Sequence, residues 1–148
     1  MTMPEYKTHK NHEWILKSAY LAVQALLPLD LYPQHKRQLI DVCIWKITEV
    51  DGKYKTRYRS EGSLHINDLS KLNHEHVVEK KYLIDQLLEN PKNFSNILDT
   101  AIGCVVTRQE HSILTSLTKQ NPSLQGWERY KTAEIKVFDL QTKNELEL

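Results

Sequence analysis

The spacing of apolar residues changes along this chain, and that change most constrains what it can fold into. From Asn11 to Leu27, the residues Ile15, Leu16, Ala19, Tyr20, Val23, Leu26 and Leu27 recur at three- and four-residue intervals. That spacing predicts an amphipathic helix. Pro28 stops it, because proline lacks the amide hydrogen and clashes with the preceding turn. Leu29 to Gln34 reads as a connector, and a second helical stretch is expected to begin near Pro33, which suits a first-turn position. The period then switches. Val42 to Val50 is rich in β-branched and aromatic residues, Asp51-Gly52 follows, and Lys53 to Arg59 alternates strictly. Asp-Gly between two such runs predicts a β-hairpin over 42–59, because both turn positions need positive φ. Lys53, Lys55, Arg57 and Arg59 would share one face of it, and Tyr54, Thr56 and Tyr58 the other.

Beyond a polar stretch at 60–71, Leu72 to Val78 reads as a short strand and Lys80 to Leu88 as a helix that Asn90-Pro91 breaks. Phe94, Ile97, Leu98 and Ala101 predict a further helix, and Gly103 to Val106 a short buried strand. Thr107 and Glu110 have capping-box spacing, so a helix should open there with Ile113, Leu114 and Leu117 on its apolar face. Trp127 to Ala133 is expected to be a short helix and Ile135 to Leu140 a terminal strand. The expected class is α+β: N-terminal helices, a small antiparallel sheet with the 42–59 hairpin, and a ββα-like unit around 72–118. At 148 residues the chain fits a single domain, 1–148, with 1–10 and 142–148 expected to be loose.

Composition excludes several function classes. With 20 Lys+Arg against 19 Asp+Glu, the formal net charge is +1, so any nucleic-acid surface must arise by local sorting of charge. Apolar runs such as Ile102 to Val106 are far shorter than the roughly 20 residues a membrane helix needs. No apolar leader is visible at the start, and Cys43 and Cys104 lie in apolar stretches, as reduced thiols of a cytoplasmic protein would. There is no glycine-rich phosphate loop and no nucleophile elbow.

The densest chemistry is Asn73-His74-Glu75-His76-Val77-Val78. On a strand, His74 and His76 point one way and Glu75 the other; where a strand breaks into a loop, Glu75 and His76 could reach one ion. Carboxylate with imidazole is a ligand pair for Mg²⁺, Mn²⁺ or Zn²⁺. His111 adds a third group, in the first turn of the helix capped by Thr107. Two solvated histidines beside a glutamate are the plainer reading of the same residues.

The order is a strand ending in Glu-His, a long connection, a short strand and a helix opening with His. It resembles the ββα-metal arrangement of HNH-type nucleases over about residues 72–115. The segments that carry the resemblance are Glu75-His76-Val77-Val78 and Val106-Thr107-Arg108-Gln109-Glu110-His111. The resemblance implies a metal-dependent endonuclease hydrolysing DNA phosphodiesters. His76 would be the general base, and Glu75 and His111 the ligands of a divalent metal (Mg or Mn, or Zn). The family's middle asparagine would be Asn90, Asn93 or Asn96, and His74 is a further site candidate. Glu79 stands where the family usually has proline, and paired cysteine knuckles are missing.

Other readings share these residues. Glu79-Lys80-Lys81 after Val77-Val78 resembles the Glu-x-Lys of restriction-endonuclease-like folds, with Asp68 as partner acid; equally it is the solvated first turn of a helix. Lys53, Lys55, Arg57 and Arg59 suit phosphate contacts with DNA, or simply an exposed strand protected from edge pairing. Trp127 and Tyr130 read as the buried stripe of a short helix, with Arg129 between them, and Trp14 and Trp45 as core. The alternative function is a small non-catalytic interaction or inhibitor protein, of phage or mobile-element type, that binds a protein or nucleic acid.

Overall fold

The structure is a computed structural model that describes residues 3–148. The N-terminal helix forms where its period predicts, as α1 (His12–Leu26). Its partner, α2 (Pro33–Thr48), starts at Pro33 but runs through the first half of the expected hairpin. The 42–59 hairpin is therefore not formed. The reason is tertiary: Ile40, Ile44 and Ile47 recur at helical spacing and are buried against Ala19, Val23 and Leu27 of the α1 region. Burying that stripe outweighs the β preference of its branched residues, which is a weak local bias. Asp51-Gly52 still makes a turn, with Gly52 at φ 121°, but it follows a helix end rather than joining two strands.

Only the last part of the expected second strand is extended, as β1 (Tyr58–Ser60). A 3-10 turn at Leu69–Lys71 leads into β2 (Leu72–His76). Then come α3 (Lys80–Glu89), the short α4 (Phe94–Leu98), β3 (Gly103–Thr107) and α5 (Arg108–Gln120). The chain ends with α6 (Trp127–Thr132), β4 (Val137–Asp139) and β5 (Asn144–Glu145).

The five strands form one sheet in the order β2-β3-β1-β4-β5. The fold is α+β, but the sheet is mixed: β1 runs parallel to β3, and the other pairs are antiparallel. The β2–β3 register pairs Glu75 with Cys104 and His76 with Gly103, so α5 leaves the sheet directly after β2's partner. Thr107 and Glu110 form the predicted capping box, and Glu110 also accepts from the Ser60 hydroxyl at 2.6 Å, tying α5 to the end of β1.

Two cores lie on opposite faces of the sheet. One packs α1, α2, α3 and α4 together through residues such as Val23, Ile44, Leu83 and Leu98. The other packs Cys104 and Val106 of β3 against Leu114 of α5 and Tyr130 of α6. The ends are held as well. Tyr6 Oη, the His9 amide and His12 Nδ1 all bind the Asp51 carboxylate at 2.6–2.7 Å, which pins the N-terminal segment over the α2 end. The expected loose N-terminal stretch also includes Met1 and Thr2, which lie outside the described residues. Within 142–148, Asn144 and Glu145 pair with β4 and the Leu146 amide donates to Val137 O. No helix among the described residues is long and apolar enough to cross a membrane.

Candidate functional site

Strand β2 is an edge strand, so side chains from both of its faces meet along one rim. The alternation holds through its last residue. His74 and His76 turn toward α2, and Glu75 turns toward α5 and α6. The expected relaxation of the strand end, which would bring Glu75 and His76 to one ion, does not occur, because His76 remains paired with Gly103. All three residues nonetheless line one open cleft of about 770 Å³ together with His111, Trp45 and Lys80.

On the α5 side, Glu75 and His111 are brought together across 36 positions, with His111 Nδ1 2.5 Å from Glu75 Oε2. The helix start that Thr107 caps is what mounts His111 there. The other carboxylate oxygen, Oε1, accepts from both terminal nitrogens of Arg129 at 3.3 Å. Arg129 is completely buried. It also donates to the His76 and Val77 carbonyls and to Thr118 Oγ1. A buried guanidinium needs several acceptors and a counter-charge, and this one has both. Arg129 was legible only as the charge between two aromatic residues. Trp127 does pack on Tyr130, at 5.0 Å between ring centroids, so the aromatic stripe is core as expected.

On the α2 side, His76 Nε2 lies 2.9 Å from Thr48 Oγ1, and its ring meets Trp45 edge-on at 4.4 Å. His74 Nε2 lies 3.2 Å from the same hydroxyl, and His74 Nδ1 is 2.5 Å from the Lys53 carbonyl. Burial pulls the His76 pKa down to about 3, helped by the neighbouring His74, Lys80 and Arg129. Burial lowers the His74 pKa too. Both rings are therefore neutral at neutral pH. Thr48 was not singled out by sequence; a threonine near a helix end carries no local mark of such a role. The anticipated asparagine is elsewhere. Asn93 and Asn96 bond to each other at 2.7 Å on the surface, and Asn90 is exposed at the end of α3.

Gly103 makes this arrangement possible. A Cβ there would lie 2.7 Å from both His74 Cε1 and the Thr48 carbonyl. Gly103→Ala is therefore expected to cost about 1–3 kcal/mol through overpacking and to push the His74 ring from its place. Urea denaturation of the variant checks the cost. A variant as stable as the parent, with unshifted His74 resonances, would mean that the contact is not made.

The basic residues of 53–59 do not form one face. Arg59 is buried and donates to the Ser63 and Ile66 carbonyls, and Arg57 makes a two-bond pair with Asp139 at 2.9 and 2.7 Å. Lys53 and Lys55 are exposed in the turn before β1. The reason is that 53–57 is not a strand, so strand alternation does not apply. The cations at the cleft are others: Arg37, paired with Asp85, Lys80, paired with Asp41 and 4.7 Å from the Trp45 ring centroid, and the exposed Lys81. Of the Glu-x-Lys reading, the Asp68 carboxylate accepts from the Ser70 amide and hydroxyl in its own turn, and Glu79 accepts from Gln125. Trp14, expected in the core, is 72% exposed on α1.

Comparison with protein-family models, curated proteins and solved structures finds no match to this chain.

Among the described residues, no group of three or more His, Cys, Asp or Glu side chains is arranged to hold a metal ion. Glu75 with His111 supplies two donors. That set does not suit a structural zinc, which takes four protein ligands. One carboxylate with one imidazole is an incomplete set: Mg²⁺ takes oxygen ligands, whereas imidazole suits zinc and other transition metals.

Proposed function

We propose that this protein is a metal-dependent endonuclease of HNH type that hydrolyses DNA phosphodiesters at the rim of β2. One observation carries the reading: Glu75 and His111 meet in a cleft that His76 also lines, although His76 comes from the other face of the strand. Glu75 Oε2 and the His111 imidazole would hold a divalent cation. When bound, it would stabilise charge on the phosphoryl oxygen and the leaving alkoxide. His76, neutral and lining the cleft, takes the proton of the attacking water. Its burial keeps it unprotonated at neutral pH, at the cost of basicity. Arg129 holds the Glu75 carboxylate in place through Oε1. Arg37 and Lys80 are paired with Asp85 and Asp41, so Lys81 is the cleft cation without an ion pair among the described residues, and it would meet a phosphate of the backbone.

The test is cleavage of supercoiled plasmid in Mg²⁺ or Mn²⁺. His76→Ala should lower the rate by about 100-fold or more. Glu75→Gln and His111→Ala should each raise the cation concentration needed. Full cleavage by His76→Ala would sink the assignment.

A second reading, a non-catalytic binding protein, is favoured by one feature: both Glu75 oxygens already have partners, Arg129 and His111. The two readings separate on thermal stability. A cation site raises the melting temperature in Mn²⁺, and Glu75→Gln removes the increase; a binding protein shows neither effect.

A further inference from the structure

We infer that Thr48 and His74 are positioning residues that set the tautomer of His76 and leave His76 Nδ1 as its proton-accepting atom. The Lys53 carbonyl can only accept, so His74 Nδ1 must carry a proton and donate to it. The two nitrogens of His74 face a carbonyl and a hydroxyl, and neither is an anion that would hold a second ring proton. His74 is neutral, and its Nε2 is a bare acceptor. Thr48 Oγ1, 3.2 Å away, therefore donates its single proton to His74 Nε2. The hydroxyl has then used its donor, so toward His76 Nε2, at 2.9 Å, it can only accept. His76 must carry its proton on Nε2, and Nδ1 is left with its lone pair.

The competing arrangement has Thr48 donate to the Trp45 carbonyl, which is 3.4 Å away and at the limit of a hydrogen bond. It would require protons on both His74 nitrogens, placing a buried cation 5.2 Å from the His76 ring. The chain of bonds described above avoids that charge.

The free nitrogen is not sealed in. His76 Nδ1 makes no hydrogen bond to a described residue, and among those residues the Tyr130 hydroxyl is the only fully buried side-chain polar atom without a partner. Nδ1 is therefore reached by solvent, from the cleft that His76 lines. A water there can give its proton to Nδ1 as its oxygen bonds to phosphorus and the P–O bond to the leaving group breaks. The imidazolium so formed keeps its Nε2–H bond to Thr48. A bond from α2 thus does here what the expected asparagine of the 90–96 connection does not do, since Asn93 and Asn96 are bonded to each other on the surface.

The catalytic consequence rests on the nuclease reading; the pair of tautomers is a property of the protein alone. The experiment therefore has two arms. In the first, ¹⁵N-labelled histidine resonances of the cation-free protein are assigned to tautomers at neutral pH. Opposite tautomers are expected: Nδ1–H on His74 and Nε2–H on His76. Matching tautomers, or the reversed pair, overturn the inference. Thr48→Val removes the hydroxyl at nearly equal volume, and His76 should then lose its single tautomer, whereas Thr48→Ser should keep it. An unchanged His76 pattern in Thr48→Val also overturns the inference. In the second arm, Thr48→Val should lower kcat roughly 10- to 100-fold with KM unchanged, and Thr48→Ser should restore it. Equal kcat in Thr48→Val and the parent removes the catalytic role. If the parent itself cleaves nothing, the nuclease reading fails, and the first arm alone decides whether the relay exists.

Discussion

Arg129→Met is expected to destabilise the protein by about 3–5 kcal/mol, the scale for breaking a buried ion pair by removing one partner. The substitution keeps much of the volume but removes every donor. Glu75 is left as a buried carboxylate with His111 as its remaining partner, and the His76 and Val77 carbonyls lose their acceptor bonds to the guanidinium. Lysine should rescue little, because a point charge cannot reach the carboxylate, Thr118 Oγ1 and two carbonyls at once. The double variant Arg129→Met with Glu75→Gln should lose less than the sum of the two single variants, by roughly 1–3 kcal/mol, since the uncompensated charge is gone. Urea denaturation of the four proteins measures both figures. A midpoint for Arg129→Met close to that of the parent would show that the pair contributes nothing.

The second large effect is acid sensitivity of the cation-free protein. His76 is held at a pKa of about 3 and His74 below its ordinary value, both chiefly by burial. In the unfolded chain these imidazoles titrate near 6.5. Below that pH the unfolded state binds more protons than the folded one, so stability falls as pH falls. It should be flat between about pH 7 and 8 and decline from about pH 6.5 toward pH 3, with up to about 4 kcal/mol lost through His76. Carboxylates extend the decline at its acid end. The Asp139 pKa is held low by Arg57. At Asp51, burial pushes the pKa up, but the bonds from Tyr6, His12 and the His9 amide outweigh it. Both anions lose their contribution as pH falls through their lowered values. Stability curves at a series of pH values check this, with His76→Gln as the control that should flatten the slope between pH 6 and 4.5. A parent protein equally stable at pH 6.5 and 4.5 would contradict it.

The two effects arise on opposite sides of one strand. Glu75 pairs with a cation on the α6 side, and the two histidines are kept neutral on the α2 side. An edge strand allows this, because its rim is open to solvent while each face is covered by a different layer. The rim is where the proposed chemistry needs a carboxylate–imidazole ligand pair and a neutral base within one cleft.

Much of this was legible in the chain. The period of Ile15 to Leu27 and the stop at Pro28 determine α1, since both act within a few residues. The Thr107–Glu110 capping box is a contact over three positions, so it places the start of α5 and hence His111 on a rigid turn. The strand at Leu72–His76 and its His-Glu-His alternation follow from local pattern as well. What only the tertiary structure decided lies at longer range. Residues 42–48 became helix because Ile40, Ile44 and Ile47 find an apolar partner in α1. Strand β1 runs parallel to β3, which no hairpin signal encodes. Arg129 reaches Glu75 across 54 positions, and Thr48 reaches His76 across 28. Local rules say which face a side chain takes, but the group that meets it there depends on how whole layers stack. In this protein that stacking selected the counter-charge of the carboxylate and the hydrogen-bond partner of the histidine.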